Sequence, residues 1–363
     1  MRVLQLIDSL EAGGAERVAV NIANSLAAKM EKSYLCATRK EGPLKASIHD
    51  DVGYLFLNKQ GVLDVQAIAK LSRFIKSEGI AIIHAHSTSF FLATLVKLRC
   101  PNVKIIWHDH YGDRSKTSLR VKFFLNVCAL SFASVIAVSK TIQEWLTDNL
   151  ITYKKVVYTL PNFAVIREEN ADLKFNKLEG EDGKRIICLA NLRPEKGHLC
   201  LIEAFNSIQK KNPEWTLHLV GRDLKDDYSE AIKAKIKALN LNQNIFTYGS
   251  ISDINYILNQ ASFGVLTSVY EGFPMVLLEY GLASLPVVCT NVGDCDKIIE
   301  NERTGLLISS NSVEALEEAL LYYIDHPLKR EVHAKQLNKH VCLNFSEEVV
   351  ISQLVSIYNR SLS

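Results

Sequence analysis

The stretch SVYEGFPMVLLEYGLASLPVV, at Ser268–Val288, carries the pattern that decides the fold. A short apolar run, Phe263–Leu266, comes before it, and a second, Pro286–Cys289, ends it. The segment between the two runs is long enough for a helix, and Gly272 and Pro274 stand where that helix would begin. Since a strand, a helix and a second strand in this order form a βαβ unit, the stretch predicts a parallel sheet.

The same alternation of short apolar runs and longer amphipathic segments continues in both directions. Runs without polar alternation are typical of parallel strands that are covered on both faces. The predicted fold class is therefore α/β, with two Rossmann-like, doubly wound parallel-sheet domains that face each other across a cleft. The other predicted strands are Val3–Ile7, Tyr34–Ala37, Tyr54–Leu57, Ile80–His84, Val103–Trp107, Val135–Val138, Val156–Thr159, Arg185–Ala190, Thr216–Val220, Ile245–Tyr248 and Gly305–Ile308.

A polar segment interrupts this alternation of predicted strands and helices and divides the chain into two halves. The segment REENADLKFNKLEGEDGK suits a linker, and 363 residues exceed what one hydrophobic core usually supports. We predict an N-terminal domain over 1–165, a linker over 166–184, a C-terminal domain over 185–344 and a last helix over 345–363 that packs back toward the N-terminal domain. Ligands of open α/β sheets bind beyond the carboxyl ends of the strands, so the loops there are the candidate site.

Composition limits the class of protein. A hydrophobic fraction of 48% and a charged fraction of 23% are ordinary for a soluble globular protein. The start, MRVLQLIDSL, lacks the long apolar core of a signal peptide, and no apolar stretch is long enough to span a membrane. The eight cysteines form no CxxC pair, which favours free thiols in a reducing compartment. We therefore expect a cytoplasmic protein.

Charge is distributed unevenly. Residues 1–165 hold 21 Lys and Arg against 13 Asp and Glu, a net +8, whereas residues 166–363 hold 21 against 27, a net −6. A basic half suggests an anionic partner such as a lipid headgroup surface or a phosphate-linked acceptor, and it also suits attraction between the two domains. The basic and aromatic segment Ser118–Phe132 fits a helix in a membrane interface, but we favour a helix that faces the core.

The helix after Pro274 has the features of an anion site. The first amides of a helix, here those of Met275, Val276 and Leu277, have no acceptor within the helix, and the helix dipole adds positive potential. A diphosphate fits such a site. Glu279 is the only charged residue between Met275 and Ala283, and a lone buried carboxylate is costly unless it is hydrogen-bonded or paired. We expect it to bind the hydroxyls of a ribose, with a buried ion pair as the alternative.

Two further charged residues stand beside this helix. Glu271 lies on the turn before it, within reach of a sugar ring. Lys196 belongs to LRPEKGHL, Leu192–Leu199, directly after the strand Arg185–Ala190, and so lies at the carboxyl edge of the sheet. A lysine there can stabilise the negative charge of a departing phosphate group.

Glu271 and Glu279 are spaced as Glu-x7-Glu, and the words EGFPMVLLE, ASLPVV and TGLLI resemble the retaining glycosyltransferases of GT-B type, family 4, or glycosyl transferases group 1. The resemblance covers nearly the whole chain. It implies that Glu279 holds the ribose of a nucleotide sugar, that Glu271 lies near the transferred sugar, and that the turn and helix start bind sugar and phosphate. The residues of that turn and helix start are Gly272, Phe273, Pro274, Met275, Val276 and Leu277.

Lys196 also matches the family pattern, in which an arginine stands five residues earlier. Here that position is Asn191, which departs from the family pattern, and Arg193 is the candidate replacement.

In the N-terminal half, SLEAGGAER places Gly13 and Gly14 after the first strand. This is not the dinucleotide fingerprint, so we expect no redox cofactor. The resemblance implies that these glycines let the backbone approach the donor phosphate and the reacting sugar.

Histidines end two strands of the N-terminal half, in IAIIHAH and VKIIWHDH. The resemblance implies that one of them lies over the transferred sugar: His108 is the first choice and His110 the second, with His86 on the acceptor side. Four histidines with Asp109 and Asp113 also suit a metal centre and hence a metal-dependent hydrolase. No carboxylate lies near the first pair, and the pairs end separate strands whose adjacency the sequence leaves open, so we predict no metal there.

The short acidic segment Asp294–Asp296 matches the metal-binding motif of the other glycosyltransferase fold. Its position after a predicted strand indicates a loop without metal.

The function predicted is a metal-independent retaining glycosyltransferase without cofactor. It would move a hexose or N-acetylhexosamine from a nucleotide-diphosphate sugar, UDP favoured, to a glycan or lipid-linked glycan in surface polysaccharide synthesis. We expect it at the inner face of the membrane, without nucleic acid. The alternatives are a nucleotide-sugar epimerase, the metal hydrolase and a noncatalytic sugar-binding protein.

Overall fold

The computed structural model describes residues 1–11, 13–111, 114–115, 117–150, 157–165, 177–251 and 253–362. The chain forms two compact units, one made of Met1–Phe163 with Glu347–Ser363 and the other of Ala164–Ser346. Most of the predicted linker, 166–176, and Asp113 of the predicted metal alternative lie outside the described residues. All eight cysteines are free thiols.

The first unit is built on a parallel sheet of seven described strands, in the order β3-β2-β1-β4-β5-β6-β7. Its elements are β1 (Arg2–Ser9), α1 (Gly14–Ala27), β2 (Lys32–Lys40), β3 (Gly53–Phe56), α2 (Val65–Glu78), β4 (Ile82–His86), α3 (Phe90–Lys97), β5 (Lys104–Asp109), α4 (Leu119–Ala129), β6 (Phe132–Ala137), α5 (Lys140–Asn149), β7 (Val157–Thr159) and, from the far end of the chain, a helix over Glu347–Leu362.

The second unit is built on a parallel sheet of six described strands, in the order β10-β9-β8-β11-β12-β13. Its elements are β8 (Arg185–Leu189), α6 (His198–Lys211), β9 (Thr216–Val220), α7 (Asp227–Ala238), β10 (Ile245–Tyr248), α8 (Ile254–Leu258), β11 (Phe263–Leu266), α9 (Met275–Leu282), β12 (Val287–Thr290), α10 (Cys295–Ile298), β13 (Leu306–Ile308), α11 (Val313–Asp325) and α12 (Pro327–Asn344); the helix Glu347–Leu362 is α13.

Both sheets reverse their order beside their first strand, between β1 and β4 and between β8 and β11. This is the doubly wound order of Rossmann-like domains, and it confirms the predicted fold class. At such a reversal the loops on the two neighbouring strands turn to opposite faces of the sheet and leave a crevice between them. The loops after β8 and β11 are those that the sequence analysis singled out.

One face of the first sheet is apolar and the other is partly polar. Leu4, Leu6 and Trp107 belong to the main core on one face. On the opposite face, helix α13 lays Tyr358 and Ser361 against the strands, and Ser361 Oγ lies 2.6 Å from Ser134 Oγ of β6. The last helix of the chain therefore completes the core of the first unit.

Helix α4 differs from the expectation that it faces the core. Leu125, Cys128 and Ala129 are buried as expected. Leu119 and Phe123, however, are 83% and 74% exposed. The helix is apolar on most of its circumference, and the sheet covers only one side of it.

The word Asp294–Asp296 also differs from the expectation of a loop, because Cys295 starts the short helix α10. Cys295 is buried, while Asp296 is exposed. Within the part of the chain that the structure describes, no helix is both long and apolar enough to cross a membrane.

Candidate active site

The loop between β8 and α6 carries Lys196 to the carboxyl edge of the second sheet. Gly197 ends a short 3-10 turn and has a φ of +69°, in the left-handed region. A Cβ at this position would lie 2.1 Å from the carbonyl oxygen of Thr267, which directly follows β11. The Thr267 hydroxyl also donates a hydrogen bond of 2.9 Å to the carbonyl of Lys196. The two loops therefore touch through their backbones, and only glycine fits the contact.

Lys196 and Glu271 form an ion pair across this contact. Lys196 Nζ lies 2.6 Å from Glu271 Oε1, and the side chains are 25% and 11% exposed. The Ser268 hydroxyl donates to the same carboxylate oxygen at 2.6 Å, which holds the glutamate in place. The sequence analysis named both charged residues but did not foresee that they pair.

Helix α9 begins at Met275, with Pro274 at the N-cap position, and no side chain of the described residues caps its start. Proline has no hydrogen-bonding side chain, so the amides of Met275 and Val276 lack a side-chain cap. The amide of Leu277, expected to have no acceptor, instead donates 3.3 Å to the carbonyl of Pro274. Met275 and Val276 are partly exposed, whereas Phe273, Pro274 and Leu277 are buried.

The turn before α9 is fixed by the loop after β12. The amide of Asp294 donates 2.9 Å to the carbonyl of Gly272. Gly293 has a φ of +55°, and a Cβ there would lie 2.2 Å from the carbonyl oxygen of Glu271. The turn that carries Glu271 is therefore held from two sides, by the loop after β8 and by the loop after β12.

Glu279 lies one turn into α9 and is 6% exposed. Its neighbours Leu278 and Tyr280 are fully buried, and the amide of Leu189 donates to the Tyr280 hydroxyl at 2.9 Å, fixing α9 to β8. The glutamate is thus a nearly buried carboxylate on a rigidly held helix. Its role as the ribose ligand stays a prediction.

Asn191, which stands at the position of the family arginine, and its candidate replacement Arg193 make different contacts. Asn191 Oδ1 accepts a hydrogen bond of 2.9 Å from the amide of Arg222, so this side chain fixes the loop. Arg193 is 51% exposed, and its guanidinium lies 3.8 Å from Glu195. Because β8 ends at Leu189, neither Asn191 nor Arg193 belongs to the strand.

In the first unit, Gly13 is the N-cap of α1 and Gly14 its first residue. The side chain of Glu16 folds back over this start and accepts 3.1 Å from the Ser9 hydroxyl. A Cβ on Gly13 would meet Glu16 Oε2 at 2.2 Å, whereas one on Gly14 would meet nothing within 4 Å. Open space at Gly14 is compatible with the close approach of a ligand that the resemblance implies.

The paired histidines lie side by side, an adjacency that the sequence left open. Strands β4 and β5 are neighbours, and His86 is the register partner of His108. The rings of His84 and His108 are stacked with centroids 5.2 Å apart, and those of His86 and His110 with centroids 5.1 Å apart. We call His84, His86, His108 and His110 the histidine stack.

Hydrogen bonds run through the histidine stack to two residues that the sequence analysis missed. His84 Nδ1 lies 2.6 Å from the Tyr358 hydroxyl, and His86 Nε2 lies 2.9 Å from Gln5 Oε1. Within the stack, the His84 Nε2 to His108 Nδ1 distance is 3.1 Å. Gln5 could have been noticed as a polar residue in an apolar run, but Tyr358 lies too far along the chain for any local signal.

Burial keeps the histidine stack neutral. It lowers the pKa of His84 and of His110 to about 3, and that of His86 and of His108 well below 6.5. Protonated imidazoles this close together would also repel each other. Burial likewise raises the pKa of Tyr358, which therefore stays a hydroxyl that can donate to His84.

The histidine stack also has the spacing of a metal site. Nitrogens of His84, His86 and His108 lie within 4.8 Å of one another, the one such group among the described residues. His108 Nε2 has no hydrogen-bond partner. The other ring nitrogens of these three histidines form hydrogen bonds with Gln5, Tyr358 and neighbouring rings. A metal ion would therefore have to replace existing hydrogen bonds. The absence of a metal in the reaction stays a prediction.

Exposure distinguishes the two histidines named for the transferred sugar. His108 is 1% exposed and lies within the sheet, whereas His110 follows β5 and is partly exposed. Asp109 between them is buried in an ion pair with Arg114, whose Nη2 donates to Oδ1 at 2.9 Å. This pair anchors the end of β5. It also occupies the Asp109 carboxylate, which would otherwise be a candidate metal ligand.

Two family models match the chain. That for glycosyl transferases group 1 matches residues 169–340, and that for glycosyltransferase family 4 matches residues 12–165. With the two doubly wound sheets, these matches define a glycosyltransferase of GT-B type. Residues 169–340 match the glycosyl transferases group 1, as the resemblance implied.

Individual relatives agree with this class. An uncharacterised glycosyltransferase of Haemophilus influenzae is 25% identical over 333 residues, covering 87% of this chain and 88% of the relative. The UDP-Gal:alpha-D-GlcNAc-diphosphoundecaprenol alpha-1,3-galactosyltransferase of Escherichia coli is 24% identical over 312 residues, 79% of each chain. Anabaena HepE in complex with UDP and glucose has the same fold, with a TM-score of 0.83 over 99% of both chains at 19% identity.

Replacing Gly197 with alanine tests the contact between the two loops. The left-handed backbone alone costs a side chain about 1–2 kcal/mol, and the clash with Thr267 will also displace Lys196. We expect Gly197→Ala to lower the unfolding temperature more than Gly183→Ala does. Gly183→Ala is the control, because φ is +84° there and a Cβ would meet none of the described residues within 4 Å. Equal unfolding temperatures of the two variants would contradict the contact between the two loops.

The histidine stack predicts acid lability. The folded pKa of His84 lies below the unfolded value of 6.5, so below that pH the unfolded chain binds a proton that the folded chain does not. Stability is complete above pH 6.5 and falls by about 1.4 kcal/mol per pH unit for each such histidine. In urea unfolding between about pH 7 and about pH 5, His84→Gln should show a slope shallower by roughly that amount. The exposed His49→Gln should keep the wild-type slope.

Proposed function

We propose that this glycosyltransferase uses a UDP-hexose or UDP-N-acetylhexosamine and retains the configuration at the anomeric carbon. The observation that carries the proposal is the Lys196–Glu271 pair beside the uncapped start of α9, at the reversal point of the second sheet. A cation, uncapped amides and a helix dipole at one point suit a sugar diphosphate. UDP is favoured because the Anabaena structure holds UDP and the Escherichia coli relative takes UDP-Gal.

We assign the donor groups by their chemistry. The amides of Met275 and Val276 bind the diphosphate, Lys196 neutralises it, and Glu279 accepts hydrogen bonds from the ribose hydroxyls. Glu271 accepts from hydroxyls of the transferred sugar. Lys196 and Glu271 pair with each other, and we propose that the donor diphosphate competes with Glu271 for Lys196. Gly13, Gly14 and Arg193 remain weaker candidates for the same donor.

The proposed chemical step is a front-face displacement. The acceptor hydroxyl oxygen bonds to the anomeric carbon on the face from which the diphosphate oxygen departs, and the hydroxyl proton passes to the leaving phosphate. Negative charge builds on the diphosphate as the bond breaks, where Lys196 and the α9 dipole stabilise it. No metal or cofactor enters this scheme, so we expect activity to survive a chelator.

Over the transferred sugar we propose His110 in place of His108, because His110 is the partly exposed ring. His86 orients this ring through a hydrogen bond, with His86 Nδ1 and His110 Nε2 2.9 Å apart. A lipid-linked glycan is the proposed acceptor, since the Escherichia coli relative acts on a diphosphoundecaprenol-linked sugar. Such an acceptor suits a proposed role in surface polysaccharide or glycolipid synthesis at the inner face of the membrane.

Product stereochemistry tests retention. After transfer from an α-linked UDP-sugar, proton NMR of the product should show an α-anomeric linkage. A β-linkage would refute the front-face step, even if transfer itself were efficient. Conversion of the donor to an isomer without any acceptor would instead support the epimerase alternative, and loss of turnover with chelator would support the metal hydrolase.

Replacing Lys196 tests its proposed role in leaving-group stabilisation. We expect Lys196→Ala to lower the turnover number by about 100- to 1,000-fold, the usual effect of removing one preorganised partner of developing charge. Lys235→Ala is the matched control, because Lys235 is also 25% exposed and also pairs with a glutamate, Glu203. Initial rates with saturating donor should fall for the first variant only. Similar rates for both would argue against the proposed role.

A further inference from the structure

Helix α4 presents a second apolar face, away from the core. Its outward side chains Leu119, Phe123, Val127 and Leu130 recur at intervals of four, four and three residues, which places them on one side of a helix. They are 83%, 74%, 50% and 69% exposed. We call these four residues the α4 stripe. Soluble monomers seldom expose large contiguous apolar surfaces without an interaction partner.

The α4 stripe is held rigidly in its outward position. On the opposite side of the helix, Leu125, Cys128 and Ala129 are buried against the unit. Phe124 packs its ring against Phe91 of α3, with centroids 5.0 Å apart. The stripe therefore cannot turn inward without breaking the core contacts of the same helix.

The charges in and beside α4 along the chain are basic, whereas the exposed acidic residues Glu144 and Asp148 lie on α5, which contacts α4 through Asn149. From Arg114 to Gln143 the sequence has five Lys and Arg and no Asp or Glu. Arg120 is exposed beside the stripe, and Lys122 is fixed on the other flank, with Nζ 2.9 Å from Asn149 Oδ1. A helix with large apolar side chains between cations is suited to an anionic membrane surface.

The neighbouring helix adds to this surface. Helix α3, which packs on α4 through Phe91, is followed by Leu98, 81% exposed, and by Arg99. Arg99 lines a shallow depression of about 420 Å³ together with Arg73 and Lys76 of α2. Three cations around one depression suit a lipid phosphate.

We propose that the α4 stripe docks the first unit onto an anionic lipid bilayer, with the four apolar side chains inserted among the acyl chains and Arg120 and Lys122 at the phosphates. The docking extends the proposed use of a lipid-linked acceptor, because it holds the acceptor-binding unit at the surface where such a lipid resides. It involves no residue of the donor site.

Vesicle sedimentation tests the proposal on the full chain. Wild-type protein should bind vesicles of phosphatidylglycerol and phosphatidylcholine and should bind phosphatidylcholine alone at least roughly tenfold more weakly. Phe123→Glu should lose roughly tenfold or more of the binding to the anionic vesicles, and Leu130→Glu should do the same. Leu328→Glu is the matched control, since Leu328 is a helical residue of the second unit that is 76% exposed, and it should bind like wild type.

Other outcomes overturn the docking proposal. These are wild-type protein that ignores vesicles, Phe123→Glu that binds as before, or Leu328→Glu that loses binding equally. If Phe123→Glu turns a dimer into a monomer in light scattering while vesicle binding persists, a second copy covers the stripe instead. UDP-induced thermal stabilisation of the same samples tests the donor site separately. Vesicle binding without a UDP response refutes the proposed function alone, and a UDP response without vesicle binding refutes the docking alone.

Discussion

The structure depends on one constraint: a parallel sheet brings the carboxyl ends of all its strands to a single edge. Lys196 and Glu271 are 75 residues apart in the chain, yet their side chains meet at 2.6 Å because β8 and β11 are neighbours in the sheet. The backbone contact at Gly197 allows the two loops to come this close. The same constraint places His86 of β4 beside His108 of β5. In each unit the candidate functional side chains therefore lie where the strand order reverses or where two strands are neighbours.

Much of the fold was predictable because strand burial leaves a strong local signal. Thr216–Val220, Ile245–Tyr248 and Phe263–Leu266 have the predicted bounds, since apolar runs covered on both faces begin and end with the strand. The prediction for β4 ended at His84, whereas the strand continues to His86, because a histidine can be buried when it finds partners within the sheet. For α4 the pattern was ambiguous: a helix with apolar residues on most sides does not indicate which side the sheet covers.

The candidate site was only partly predictable for a related reason. Lys196, Glu271 and the start of α9 were identified because each follows a strand directly. The adjacency of the histidine pairs depends on strand order, which no local pattern contains, so the sequence left it open. Tyr358 and Gln5 lie 353 residues apart and meet at 3.3 Å, a contact that only the complete fold creates.

The position of α13 has a consequence for biosynthesis. Tyr358, Leu354 and Ile351 are buried in a unit whose strands are all made before residue 164. While a ribosome is still translating the second unit, the nascent first unit therefore exposes its polar sheet face, including His84, to solvent or to chaperones. The core of the first unit is therefore complete only after the whole second unit has been synthesised.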